Sequence, residues 1–392
     1  MKIFMATAAL LSALSLTSFT FAFDHIDFRT ISVNCGDGGT GLQTAINSAN
    51  SGDVIKLYGR CKEAVAIIDK NLTIQGVDGA KIECPDSSWN FLPYTSRHPI
   101  VMAVNGVVSL KNLIIDGRSR SDYGAYSSLM GVYFLNADGE LMNSWVTGIR
   151  RISRASDWNT IPVRVLNTAI GPSQLLVRPR LVKITKNIID NFESDGIFAN
   201  TNDDASHLAP LQINIISNTI NGAGVMYESQ NGIQLLGFGS GLYSIVTASV
   251  QNNLITDTIS NSGLWESSAI LTAPYLDGST YVLRNMPATY TGNKLMRFND
   301  GIAIFSEGKT NISSNNVIAD GDVGLDLMGH QFNVGGNDFL NLKVGVLSEG
   351  TNLVEAKVVK NNKFTNVIDY FAVLFTNDFI PSRFRGASGI GH

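Results

Sequence analysis

Charge and cysteine are both scarce in this chain of 392 residues. Only 16% of its residues are charged, and 29 Lys and Arg nearly balance 33 Asp and Glu. With 44% hydrophobic residues, that composition does not fit a disordered chain. A net charge of −4 gives no general attraction for a polyanion, so no nucleic-acid partner is expected. Three cysteines exclude a disulfide-built scaffold. They form no C-x-x-C pair and have no His at ligand spacing, which removes a structural zinc site. Beyond the N-terminus there is no apolar run of about 18 residues, so no transmembrane helix is expected. The W-D signature of propeller blades and the Leu/Asn frame of leucine-rich repeats are also missing.

The N-terminus has its own character. Lys2 precedes an apolar stretch from Ile3 to Leu16, and Thr20-Phe21-Ala22 has the small-x-small form of a cleavage site. Residues 1–22 therefore read as a secretory signal peptide, and a secreted, periplasmic or extracellular protein is expected. Losing Lys2 leaves 28 basic against 33 acidic residues, a balance of −5. Export permits disulfides, and three cysteines allow one bridge and one free thiol. Cys35–Cys61 is favoured over pairings with Cys84, because it ties the start of the mature chain to its first extended segment.

One short pattern recurs along the chain: an apolar residue, two mostly polar residues, Asn, one residue, then another apolar residue. It places Asn71, Asn112, Asn143, Asn187, Asn218, Asn253, Asn293, Asn316, Asn337 and Asn362 in one series. After each later Asn comes a short alternating strand opened by Gly or Ala: GIFAN, GIQLL, AILTA, GIAIF, GLDLM, GVLSE and AVLF. Short strands with Gly, Asn and Asp turns argue for β over helix. Stacked coils would place like residues about 4.8 Å apart. Inward Asn amides could then pair from coil to coil, satisfying buried polar groups. A single coil cannot bury its own apolar face, so stacking is obligatory. The expectation is an all-β solenoid, with Asn187 and the later Asn of the series pointing inward.

The N-terminal stretch GLQTAINSANSGDVIKLYGRCKEAVAIIDKNLTIQG, from Gly41 to Gly76, resembles the opening of right-handed parallel β-helix proteins of the pectin-lyase-like superfamily. In those proteins a short amphipathic helix closes the bore. Leu42, Ala45, Ile46 and Ala49 fall on one helical face here. The resemblance implies a single-stranded right-handed parallel β-helix with a capping α-helix. An N-terminal cap is expected over 23–63, with its helix near 40–50. The β-helix should fill 64–376 with a loop insertion near 153–174, and 377–392 is a tail. Asn71 and Asn311 head glycosylation sequons, and Asn71 is expected to be inward and closed to modification.

Two groups of residues could carry chemistry. Alternation predicts an outward column of Phe198, Gln234, Leu271, Ala303, Asp326 and Leu347. The residues before these strands form a turn column of Asp195, Asn231, Ser268, Asp300 and Asp322. Asp300 and Asp322 are expected one coil apart, near the ~5–5.5 Å carboxyl spacing of retaining glycosidases. Asp320 could join them to gather oxygens for Ca²⁺, the one cofactor considered. Glu307 and His330 could form an acid–base pair past the strand ends. FNDGIAI around Asp300 resembles the NTDGID-type motif of polygalacturonases. Asp322 matches the first Asp of that family's pair, while Val323 replaces the second, and KVGVLS stands where its His is expected.

The second group is basic. From Ile149 to Lys186 there are eight basic residues and one acid, a window of +7. Arg150, Arg151, Arg154 and Trp158 lie in it, and Arg118 and Arg120 precede it. Arg forks bind carboxylates and aromatic faces stack on sugars, so these residues are the expected binding surface for an anionic polysaccharide. The reading is a secreted β-helix protein that binds an acidic polysaccharide and cleaves it as a lyase does. The alternative is a non-catalytic surface β-helix that adheres to glycans or cells.

Overall fold

The computed structural model describes residues 28–374, apart from 88, 90, 92, 96, 120–128, 151–159, 170–174, 204–208, 227–228, 240–245, 262–266, 275–285, 330, 350–352 and 354. The expected signal peptide and tail lie outside the described residues. The described chain forms 28 strands and two short helices. All the strand pairings between elements are parallel, and each coil pairs with the coil before and after it. The protein is a right-handed parallel β-helix, the hand that parallel crossovers adopt. Its wall has three stacks. The first contains Arg180–Thr185 and Leu211–Ile216, the second Ile114–Asp116, Trp145–Thr147 and Ile188–Asp190, and the third Leu129–Leu135, Ile161–Thr168 and Asp195–Asp203.

Strict alternation builds the first stack. Val182 and Ile184 point into the bore over Ile213 and Ile215, while Leu181 and Lys183 face outward. Continuous burial marks the third: all seven residues of Leu129–Leu135 are buried. Its inner side joins the bore, and its outer side forms a second apolar cluster around Met102, Tyr133, Phe198, Phe305 and Met328. The glycine that opens these strands stands at a tight corner. A Cβ at Gly301 would lie 2.5 Å from the Gly324 carbonyl oxygen one coil on.

An asparagine ladder runs along the corner between the first and second stacks. The Asn187 Nδ2 donates to Asn218 Oδ1 at 3.0 Å, and the chain of amides continues through Asn253, Asn293, Asn316 and Asn337 to Asn362. Most rungs use the second amide proton on a backbone carbonyl of the preceding coil, as Asn218 does with Ile184 at 2.9 Å. Their Oδ1 also accepts a backbone N–H, so the buried amides are fully paired.

The first three members of the expected series are not in the ladder. Trp145 pairs with Ile188 and Ile114, so the ladder position on those coils is Ser144 and Leu113. Asn143 and Asn112 sit one residue earlier, in the left-handed region with φ of 49° and 54°. Their column continues as Lys186, Ser217 and Asn252, also left-handed. Asn71 is exposed, and its Oδ1 accepts the Val107 N–H at 2.9 Å. Burial therefore does not close its sequon. Ile161–Thr168 is also a correction: it is a third-stack strand inside the stretch expected as an insertion.

The N-terminal helix Leu42–Ser48 buries Leu42 and Ile46 over the bore. It has only seven residues and no capping side chain of its own. Glu63 supplies the cap, accepting from the N–H groups of Gly41, Leu42 and Gln43 at 2.7, 2.7 and 3.2 Å. The Lys70 ammonium holds the other end, donating to the carbonyls of Ile46, Asn47 and Ala49. Before the helix, Thr30–Gly39 pairs with Val54–Lys62. That pairing brings Cys35 and Cys61 together as a disulfide with Cα atoms 5.0 Å apart, and Cys84 is buried outside this bridge.

Candidate functional site

The outer side of the third stack carries the expected outward column. Phe198, Gln234, Leu271, Ala303, Asp326 and Leu347 follow one another in register on successive coils. Upstream the column continues through Arg164, Tyr133 and Met102. Near its middle the polar groups gather. Arg164 lies between two rings, 5.6 Å from the Tyr133 centroid and 5.0 Å from that of Phe198. Asp195 opens the strand that carries Phe198. Its Oδ1 accepts from Asn231 Nδ2 at 2.9 Å, and its Oδ2 from Ser194 Oγ at 3.3 Å. Gln234, its amide nitrogen turned toward Asp195, donates to both oxygens at 2.8 and 2.9 Å.

Electrostatics here are unusual. Burial pushes the Asp195 carboxyl up to about 6, although Asn231, Ser194 and the Arg164 charge pull the other way. Burial also lowers the Arg164 guanidinium to about 9, and the nearby Arg97 charge lowers it further. Tyr133 and Asp195 only partly offset this. Arg164 Nε has no hydrogen-bond partner among the described residues. The surroundings of Arg164 are thus short of negative charge and of one acceptor. Arg164 itself is buried, with 8% of its surface exposed.

A pH dependence follows with a definite sign. A carboxyl raised from 3.8 to about 6 binds more protons folded than unfolded between those values. Its contribution to stability is full below 3.8 and is lost as pH rises through about 6. Wild type should lose stability relative to Asp195→Asn across that window, by about 3 kcal/mol in all. Denaturation of both proteins at a series of pH values checks this. A constant difference would show that Asp195 titrates normally.

The other expected residues are placed differently. Asp300 pairs in register with Val323 rather than Asp322. The strands Lys294–Phe305 and Val317–Met328 keep one register from end to end, the 23-residue step that also separates Asn293 from Asn316, so Asp322 falls one residue short of Asp300. Asp300 is buried, whereas Asp322 is half-exposed and paired with Lys343 at 2.7 Å. Asp320 is at the bend and accepts from Asn341 at 2.8 Å. The expected carboxylate pair and Ca²⁺ set therefore do not share one column. Asp326 is buried in the outward column, and Glu307 follows Phe305 in the turn. His330 lies outside the described residues.

Among the described residues, several of the basic side chains are engaged by partners within the chain. Arg118 pairs with Glu83 at 3.2 Å and Asp86 at 2.7 Å. Arg150 donates to Asn191 Oδ1 at 3.1 Å. Arg178 and buried Arg180 share Asp138 at the start of the first stack. Arg120, Arg151, Arg154 and Trp158 lie outside the described residues. Sequence reasoning counted Arg164 as one charge in a basic loop. The alternation IPVRVLNT, with Arg at an outward strand position, was the signal for its real place.

No protein-family model matches the chain. No curated protein matches it either. Among solved structures, the Dettilon tailspike protein (gp208) superposes with a TM-score of 0.47 at 13% identity, covering 86% of this chain and 68% of that one.

Proposed function

We propose that this is a secreted polysaccharide-binding β-helix protein whose outer third stack takes the carboxylate of a uronic-acid unit. One observation carries the reading: Arg164, clamped between Tyr133 and Phe198, is desolvated, short of negative charge, and has an unpaired Nε. A guanidinium fork matches a carboxylate, and aromatic rings beside it suit sugar C–H faces.

Asp195 adds the means for cleavage. A carboxyl near 6 is poised to exchange protons at neutral pH. In β-elimination the base takes the proton α to the uronate carboxylate. The electron pair forms the double bond, and the glycosidic oxygen leaves and takes a proton. Neutralisation of that carboxylate by Arg164 would acidify the same proton. Binding without cleavage is the second reading, favoured by the offset between Asp300 and Asp322.

A panel of polygalacturonate, alginate and neutral glucans, each with and without Ca²⁺, tests the proposal. Binding of the acidic polymers that is lost in Arg164→Met is the expected result, with ultraviolet absorbance rising if unsaturated ends form. Reducing ends without that rise would mean hydrolysis. Binding of the acidic polymers that persists unchanged in Arg164→Met would overturn the assignment.

A further inference from the structure

The second stack holds a different surface, outside the Arg164 cluster. Ile114, Trp145 and Ile188 follow one another in its outward column. Trp145 is 41% exposed and Ile188 46%. Large apolar side chains are seldom left in open water in a row. The indole is also not free to turn, because its Nε1 donates to Asp190 Oδ2 at 3.0 Å on the next coil. It is a fixed, half-open aromatic surface.

Beside it runs the left-handed corner column of Asn112, Asn143 and Lys186, all exposed. These residues and Trp145, Ile114 and Ile188 line one shallow groove. Among the described residues, neither the Asn112 nor the Asn143 side-chain amide has a hydrogen-bond partner, unlike the ladder amides one residue further on. A groove with an apolar floor on one side and unpaired amides on the other matches a pyranose. The C–H face of the sugar covers the ring while its hydroxyls bond the amides. Successive coils repeat every ~4.8 Å, so a glycan lying along the helix axis would meet one amide per coil.

We infer that Trp145, Asn112 and Asn143 form a binding site for a neutral oligosaccharide, independent of the anionic site on the third stack. The groove is too narrow for a protein partner, and its amide edge would leave unpaired groups against lipid.

The probes are cellohexaose, xylohexaose and mannohexaose, titrated into the full chain labelled with ¹⁵N at its indoles. The chain has four tryptophans, and the resonance lost in Trp145→Phe assigns the site. At least one probe should shift that resonance. Trp145→Ala should weaken binding about tenfold or more, Asn143→Ala severalfold, and Trp145→Phe less than Trp145→Ala. Arg164→Met should leave this binding unchanged, which separates it from the anionic site. A resonance unmoved by all three probes overturns the inference. So does undiminished binding by Trp145→Ala whose melting matches wild type, or loss of binding in Arg164→Met.

Discussion

Asn316→Ala will lose about 3 kcal/mol of stability, seen as a lower denaturant midpoint with the β-helix still assembled. Asn316 is fully buried, and its Oδ1 accepts from the backbone N–H and the Nδ2 of Asn293, both at 3.0 Å. Its own Nδ2 donates to Tyr290 O at 3.0 Å and Asn337 Oδ1 at 2.8 Å. The same Nδ2 also reaches Ser313 O at 3.2 Å, and alanine removes all five contacts and supplies none. Each buried group left without a partner costs about 1–3 kcal/mol, and some will be recovered by small shifts. Asn316→Ser should fall between alanine and wild type. Ser144 already fills the equivalent position, accepting from Leu113 N at 3.2 Å and donating to Met142 O at 2.9 Å. Exposed Asn333 makes one long bond to Asn311, at 3.3 Å, and its alanine variant should be near neutral. Equal midpoints for Asn316→Ala and Asn333→Ala would remove the ladder from the account of stability.

Arg164→Met should reduce affinity for oligogalacturonate by about tenfold to a hundredfold, the worth of one charged hydrogen-bonded contact. Methionine keeps an apolar side chain between Tyr133 and Phe198, so loss of packing does not confuse the result. Arg164→Lys should recover little, because an ammonium cannot present the planar fork. Removing the guanidinium also takes away a charge that lowers the Asp195 carboxyl. The Asp195 midpoint should therefore move above about 6 in Arg164→Met. Calorimetric titration over a pH series measures both effects. Unaltered affinity in Arg164→Met would make the buried guanidinium a purely structural group.

Much of the architecture was legible in the sequence because two columns obey simple rules. The later Asn residues fill an inward position where each amide pairs with the next, so they recur from Asn187 to Asn362. Phe198 through Leu347 keep a two-residue alternation, and their register came out as read. Legibility failed where a column shifts by one residue. Asn112 and Asn143 look like ladder members, but their coils put Leu113 and Ser144 there. Asp322 seems to match Asp300 because each precedes a Gly strand opening by one or two residues, yet the 23-residue step from Asn293 to Asn316 places Val323 opposite Asp300. Arg164 was hidden for a related reason: its strand lacks the Gly opening and the Asn signal, and it sits inside a run that reads as a basic loop.

The central claim is that a sugar carboxylate, rather than the sugar in general, is what the outer third stack recognises. Trigalacturonate and its carboxyl-reduced, neutral counterpart differ only in that group. Titrated at one ionic strength into Trp145→Ala, which lacks the neutral-sugar site, the acidic trisaccharide should bind and raise the melting temperature, and the reduced one should do neither. Equal binding of both, or binding of the acidic form that survives Arg164→Met unchanged, would contradict the account.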